Sequence, residues 1–252
     1  MRLNATQAIS TPKLLLVPYS AHHVPTYHTW MQDPDLQAAT ASEPLTLGEE
    51  YAMQRSWRED KDKLTFIVCR PRVHEASTEC VRAKVDDAPE RMMGDINLFL
   101  FEPDDDDEDE YEDDNRTNRS HTASARKAVI GEIELMIARK EMHRQGFGRA
   151  ALETFMIYIT MNWPAIYEEF TDQADGGRRP SLAYLRAKIQ QTNVGSIALF
   201  ESIDFKPVGT GEPNYFGELE LRWHWDGTEP LSDDLKAHRE PSRMLRYDES
   251  AM

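Results

Sequence analysis

One stretch constrains the fold more than any other. A β-rich segment, Ala128 to Ala138, runs through a turn bearing Gly146 and Gly148 into a dense apolar helix, about Gly148 to Trp163. Along the segment, alternation puts Glu132, Glu134 and Met136 on one face and Ile133, Leu135 and Ile137 on the other, as in a strand between two layers. In the helix, Ala151, Leu152, Phe155, Met156 and Ile159 recur at helical spacing. A strand that feeds a helix through glycines leaves the helix's unpaired amides pointing at the turn, where the helix dipole adds positive character. Such a turn is either an anion site suited to phosphates or a glycine-rich N-cap, and this stretch alone leaves both open. No Gly-Lys-Ser/Thr follows, so it is not a Walker loop, and the third glycine of a dinucleotide fingerprint is missing.

Around this unit, further strands read at Lys13–Pro18, Leu64–Cys69, Met92–Phe101, Leu182–Ile189, Phe205–Val208 and Glu218–Trp225. Helices read at about Val24–Gln32, Thr46–Asp60 and Asn193–Ile203. Thr46 can cap its helix, with Glu49 as the capping-box partner. Strands dominate the middle and two helices separate the late strands, which predicts an α+β layer structure with a mixed sheet.

The net charge is −16, from 45 acidic and 29 basic residues. Eleven of the carboxylates lie between Glu102 and Asp114 with no base among them, so the remainder carries only −5. This balance argues against a nucleic-acid partner, which needs a positive field. The segment 102–127 has too little apolar surface to order itself and is predicted to be a disordered insertion between two strands. Residues 70–91 form a second, polar insertion, residues 171–180 a polar break, and residues 226–252 a polar C-terminal tail. Cys69 and Cys80 are too few for a disulfide framework or a four-thiolate zinc site. His22, His23 and His28 lack carboxylate or thiolate partners at a suitable spacing, so no metal is expected. No signal peptide and no run long enough to span a membrane are present, which predicts a cytoplasmic or nuclear protein with no membrane partner.

The glycine turn reads His143-Arg144-Gln145-Gly146-Phe147-Gly148. It resembles the pyrophosphate loop Gln/Arg-x-x-Gly-x-Gly/Ala of the GNAT superfamily of N-acetyltransferases, with histidine at the leading position and Arg144 beside it. About 45 residues on, Asn193-Val194-Gly195-Ser196-Ile197-Ala198-Leu199-Phe200-Glu201-Ser202-Ile203-Asp204-Phe205 is similar to a second motif of that superfamily, with Asp204 in place of its glycine. Aspartate tolerates the left-handed turn that ends such a helix. Further stretches, among them Leu16-Val17-Pro18-Tyr19, Thr40-Ala41-Ser42-Glu43-Pro44-Leu45-Thr46-Leu47 and Met93-Gly94-Asp95-Ile96-Asn97-Leu98, look like the eukaryotic N-acetyltransferase 9-like branch. The likeness covers about residues 1–225 outside the insertions and the break.

The resemblance implies a single domain over residues 1–225, with a mixed, mostly antiparallel twisted sheet of about seven strands flanked by about four helices. It implies acetyl-CoA as co-substrate and a protein or peptide amine as acceptor, either an N-terminal α-amine or a lysine, attacked directly in a ternary complex. It places the cofactor against Met136, Ile137 and Ala138 on the strand, against Arg144, Gln145, Gly146, Phe147, Gly148 and Arg149 at the turn, and against Asn193, Ser196 and Phe200 on the later helix. Acetyl transfer needs a base for the amine and a donor for the developing oxyanion. Glu132 and Glu134, beside the implied thioester position, are candidate bases, although an exposed polar strand face gives the same pattern. Many superfamily members carry a tyrosine acid where this chain has Phe200, which cannot donate a proton. That role falls to another group such as Tyr184, or the thiolate leaves unassisted. Asn193 also suits a helix N-cap. A catalytically weak or inactive module on the same fold, acting through protein partners, is the alternative. The acidic insertion would bias a neighbouring acceptor site toward basic substrates.

Overall fold

In the computed structural model, residues 1–72, 80–103, 128–172, 182–225 and 242–250 are described. Ten strands are present among these residues: β1 (Gln7–Ser10), β2 (Leu15–Pro18), β3 (Lys63–Cys69), β4 (Cys80–Arg82), β5 (Met92–Phe101), β6 (Val129–Ile137), β7 (Leu182–Gln190), β8 (Lys206–Pro207), β9 (Glu218–Trp223) and β10 (Arg243–Asp248). Five α-helices accompany them among the described residues: α1 (Val24–Trp30), α2 (Pro34–Ala39), α3 (Leu47–Glu59), α4 (Phe147–Thr171) and α5 (Val194–Glu201). Local signals account for several boundaries. The Thr46 side chain accepts from the Glu49 amide while the Glu49 carboxylate accepts from the Thr46 amide at 2.8 Å, which is the capping box of α3. Asp33 caps α2, with Pro34 in its first turn.

The strands form one sheet in the order β4-β10-β1-β2-β3-β5-β6-β7-β9-β8. Only β10–β4 and β6–β7 are parallel, so the sheet is mixed and mostly antiparallel, as expected. The counts are higher than seven strands and four helices. The additional strands β1, β4 and β10 are short and polar-rich, and each exists because a distant segment pairs with it: Gln7 stands opposite Arg246, and Cys80 beside Arg246. Pairing of that kind leaves no local pattern. The stretch read as a C-terminal tail therefore contributes β10, and the polar insertion 70–91 contributes β4. The predicted disorder of the acidic segment falls on residues 104–127, outside the described residues.

α4 continues past the expected end at Trp163 and through Pro164. Proline removes one helical donor, but Ile166 beyond it is buried like Trp163, so the apolar stripe carries the helix on.

Two layers cover the sheet. On one face Leu64, Phe66, Ile96, Leu98 and Ile133 pack under α4 and α5, with Phe66 edge-on to Phe155 at 6.0 Å between ring centroids. On the other, Val17, Ile67, Met92 and Met136 pack with Tyr19, Tyr27 and Met31 under α1–α3. Gly94 allows β5 and β6 to meet, since a Cβ there would lie 1.8 Å from the Met136 carbonyl oxygen.

Candidate functional site

β6 and β7 are neighbours for only part of their length. They pair from Val129 and Leu182 to Glu132 and Arg186; beyond this β6 continues along β5 and β7 along β9 with no pairing between them. The sheet forks at that point, and an ion pair marks the crotch. Arg186 Nε donates to Glu132 Oε2 at 2.7 Å, and Lys188 Nζ lies 3.8 Å from the same oxygen. The Ala138 amide donates to Met93 O at 2.8 Å on the β5 side. Alternation along the ladder then turns the peptide groups of Met136 and Glu134 to β5, and those of Ile137, Leu135 and Ile133 into the fork. Of the three strand residues expected at the cofactor, Ile137 offers its backbone there.

The glycine turn closes the open end. Gly146 has φ +81°, the left-handed conformation glycine adopts without strain, and Arg144 shares that region at +57°. The first helical hydrogen bond of α4 is made by Ala150 to Gly146 O, so the amides of Phe147, Gly148 and Arg149 precede the helical ladder. A Cβ on Gly148 would lie 3.2 Å from Leu199 Cδ2 on α5 and 3.8 and 3.9 Å from Leu135 and Ile137 on β6. The helix start therefore sits over the fork. His143 Nε2 donates to Ile137 O at 2.7 Å, so this histidine ties the turn to the strand end. Arg149 bonds Glu153 and Ser202, whereas Arg144 and Gln145 are exposed at the turn. Sequence reasoning missed Lys13, whose Nζ lies 5.5 Å from the Phe147 ring centroid and close to Gly146. It arrives from the β1–β2 turn, and nothing near it in sequence signals that position.

On α5, the Asn193 side chain accepts from the Ser196 amide and caps the helix. Asp204 takes the left-handed conformation at φ +71°, as anticipated for the residue replacing glycine. Phe200 is buried edge-on to Phe205. Tyr184 pairs with Ile130 in the closed part of the β6–β7 ladder, under the Arg222 guanidinium, and not at the opening. The suggestion that it replaces the missing tyrosine acid is corrected accordingly.

Glu132 and Glu134 share a face, as alternation requires, but their surroundings differ. Glu132 is held by Arg186. Glu134 makes no ion pair among the described residues, and the residue is exposed. Surrounding protein, with the negative charges of Glu132, Asp95 and Glu218, pushes its carboxyl up to about 7. Directly across β5 lies Asn97, and beside it Asp95 opposite Met136. Asp95 is 2% exposed, and burial raises its carboxyl to about 6 against hydrogen bonds from Asn97 and Tyr27.

A second cluster lies away from the fork. His22 Nε2, His23 Nε2 and the Tyr247 hydroxyl all reach Asp87 Oδ2, at 3.1, 2.9 and 2.6 Å. The Ser20 amide donates to His23 Nδ1, so the neutral ring carries its proton on Nε2 and donates to Asp87. The cluster is thus a hydrogen-bonded clamp joining the polar insertion, the start of α1 and β10. It supplies the carboxylate partner that the histidines lacked in sequence.

The fork has what a long ligand with amide and pyrophosphate groups requires. It offers a strand edge without a partner among the described residues, helix amides that precede the helical ladder at its end, and glycines that leave room for close approach.

The sequence matches the family described as "Acetyltransferase (GNAT) domain" over residues 13–206. The N-acetyltransferase 9-like protein of Schizosaccharomyces pombe is 36% identical over 226 residues, covering 88% of this chain and 97% of the relative. Human alpha/beta-tubulin-N-acetyltransferase 9 is 35% identical over 223 residues, covering 88% and 85%. Among solved structures, a domain from Methanocaldococcus jannaschii superposes with a TM-score of 0.53 at 15% identity over 84% of this chain and 99% of that one. The spermidine N-acetyltransferase of Vibrio cholerae, in complex with CoA and spermine, does so at 0.50 and 13%, over 83% and 93%. Among the described residues no helix is long and apolar enough to cross a membrane.

Proposed function

The chain belongs to the GNAT acetyltransferase family, whose members transfer acetyl from acetyl-CoA to an amine, and on that premise we propose that its acceptor is a protein N-terminus attacked directly in a ternary complex, with Glu134 as the base. The observation that carries this reading is the fork between β6 and β7, with the α4 amides over its open end and Glu134 on its wall.

Acetyl-CoA supplies the thioester, whose acetyl carbon bonds to the amine nitrogen as the C–S bond breaks and CoA departs as a thiolate, which takes up the second proton that the nitrogen loses in becoming an amide. The chain's own residues do the rest. The amides of Phe147, Gly148 and Arg149, with Lys13 and Arg144 nearby, favour a pyrophosphate at the turn. The fork-facing peptide groups of Ile137, Leu135 and Ile133 serve the pantetheine amides, and an N–H among them stabilises the developing oxyanion. Asn193, Ser196 and Phe200 act from α5 by shaping and capping that wall. Glu134 takes the proton from the ammonium, and Glu132 keeps the fork's crotch neutral through Arg186.

A base near 7 suits an α-ammonium, with reference pKa 7.7–8.0, better than a lysine near 10.4. The proton transfer is roughly 3–4 kcal/mol less uphill for the former. Tubulin, named in the human relative's description, is the first protein acceptor to test. Phe200 and the buried Tyr184 also keep a second reading in play, in which the module binds cofactor with little turnover. Thiol release from acetyl-CoA with a free-amine peptide tests both, with Gly146→Glu as the reference that blocks the turn. A wild type that binds no more acetyl-CoA than this variant ends the first reading, while binding without thiol release selects the second.

A further inference from the structure

On the face of the sheet under α1 and α3, one row of cross-strand neighbours is polar where its surroundings are apolar. Thr65 on β3 stands opposite Asn97 on β5, which stands opposite Glu134 on β6. Asp95 lies two residues from Asn97 on the same face. Thr65, Asn97 and Asp95 are 7%, 3% and 2% exposed. The Asn97 amide nitrogen donates to Asp95 Oδ2 at 2.7 Å, and the Tyr27 hydroxyl lies 3.4 Å from the same oxygen. This fixes the Asn97 amide with its oxygen as the remaining acceptor. That oxygen, Asp95 Oδ1 and Thr65 Oγ1 are all buried without a hydrogen-bond partner.

Leaving a buried acceptor unpaired is unfavourable by about 1–3 kcal/mol, and three within one row call for a donor. The groups facing Asp95 fix that donor's charge. Glu134 comes from β6, Tyr27 from α1, and Tyr19 from the segment before α1. All are acidic or neutral, and the described ion pairs bring no lysine or arginine to Asp95; the cations nearest the row are Arg58 and the Met1 amine, which line the cavity beside Thr65. A primary ammonium has three donors and a positive charge, and it suits buried acceptors beside carboxylates.

We propose that Asp95, Asn97 and Thr65 form an acceptor-positioning cradle that receives a primary ammonium group and presents it to Glu134. The proposal rests on the acetyl-transfer reading for its purpose but not for its geometry. In the cradle the ammonium enters with three protons. One moves to a Glu134 carboxylate oxygen, and the nitrogen lone pair is freed while Asp95 and Asn97 hold the remaining two N–H groups. Asp95 acts through position and charge and takes no part in bond exchange. A secondary ammonium keeps the charge but offers only two donors, and an acylated amine offers one donor and no charge, so the cradle discriminates against an acceptor that is already acetylated.

The test is calorimetric titration of the full chain, saturated with CoA, by a lysine-free ten-residue peptide with a free amino terminus and by its Nα-acetylated twin. The expected result is at least tenfold tighter binding of the free-amine peptide by the wild type. That preference should be lost in Asp95→Asn and reduced several-fold in Asn97→Ala and Thr65→Val, while affinity for acetyl-CoA stays within twofold as the check on folding. In a pH series, Asp95→Asn should also move the acid limb of peptide binding, which a purely structural role would not do. Equal affinity for the two peptides in the wild type overturns the cradle, as does a preference that survives the substitutions in chains that bind acetyl-CoA normally. Thiol release is scored separately. Amine preference without thiol release supports the cradle and removes the transfer reading, and thiol release without amine preference does the reverse.

Discussion

The two faces of β3, β5 and β6 are made by the same backbone and differ in nearly every other respect. Toward α4 and α5 the side chains are Leu64, Phe66, Ile96, Leu98 and Ile133, closed against a long helix whose buried stripe includes Leu152 and Phe155. Toward α1 and α3 the same strands present Thr65, Asp95, Asn97 and Glu134, with buried polar atoms left unpaired. One face stores stability. The other gives some of it up to keep carboxylates and unpaired polar atoms in a row, where the proposed cradle lies. Because period-two alternation assigns neighbouring residues to opposite faces, single substitutions can address either function alone.

The largest expected effect is on the polar face. Glu134→Gln should lower kcat/KM by about 10²–10⁴ while leaving thermal stability unchanged or slightly improved, since a crowded carboxylate is removed. Thiol-release kinetics beside a melting curve would read both, and a loss under tenfold would take the base role from Glu134. Wild-type kcat/KM should rise with pH through about 7 as that carboxylate ionises. Stability carries the opposite sign. The folded form holds the Glu134 proton between about 4.5 and 7 while the unfolded chain has released it, so this group's contribution falls as pH rises through that window.

On the apolar face, Phe155→Ala should destabilise by about 3–5 kcal/mol and leave kcat per folded molecule intact. A fall in kcat with unchanged stability would break the division between the faces. The Asp87 clamp provides an intermediate case. Asp87→Asn should lower stability by about 1–3 kcal/mol, by weakening what His22, His23 and Tyr247 share. Burial lowers the His23 pKa, so its neutral form stabilises the fold above about 6.5, and that contribution is lost as the unfolded ring takes up protons below it. Burial works to raise the Asp87 carboxyl, but the hydrogen bonds from His22 and His23 outweigh it and hold it below the ordinary range. Its contribution persists down to about 4 and fades below. The stabilising share of His23 should therefore shrink from pH 7 to 5, read as a smaller melting-temperature gap between the wild type and His23→Gln at pH 5 than at pH 7. The smallest effect is expected for Lys13→Ala, a severalfold loss of acetyl-CoA affinity that shrinks with salt, because a partly exposed cation is screened.

What was legible in the sequence was local. The alternation from Glu132 to Ile137, the Thr46–Glu49 capping box, the glycine turn and the left-handed Asp204 each depend on residues within a few positions, and each stands where the pattern puts it. What was not legible depends on distant partners. Glu132 and Glu134 look equivalent until β7 brings Arg186 to one of them. Asp95 and Asn97 read as ordinary strand positions until Tyr27, Thr65 and Glu134 surround them. His22 and His23 had no carboxylate until Asp87 came from a polar stretch that reads as an insertion. Gly94 gives no hint that β6 will press against it.

The position of β10 bears on how the protein is made. Gln7 pairs with Arg246, 239 residues away along the chain, and β10 separates β1 from β4. During synthesis β1 and β4 emerge long before the strand that joins them, so this flank of the sheet remains open until residues 243–248 have left the ribosome. The fork, the glycine turn and the cradle do not include β10 and can assemble earlier. A chain lacking residues 243–248 should therefore expose the β1 and β4 edges that β10 otherwise joins, and such open edges favour aggregation.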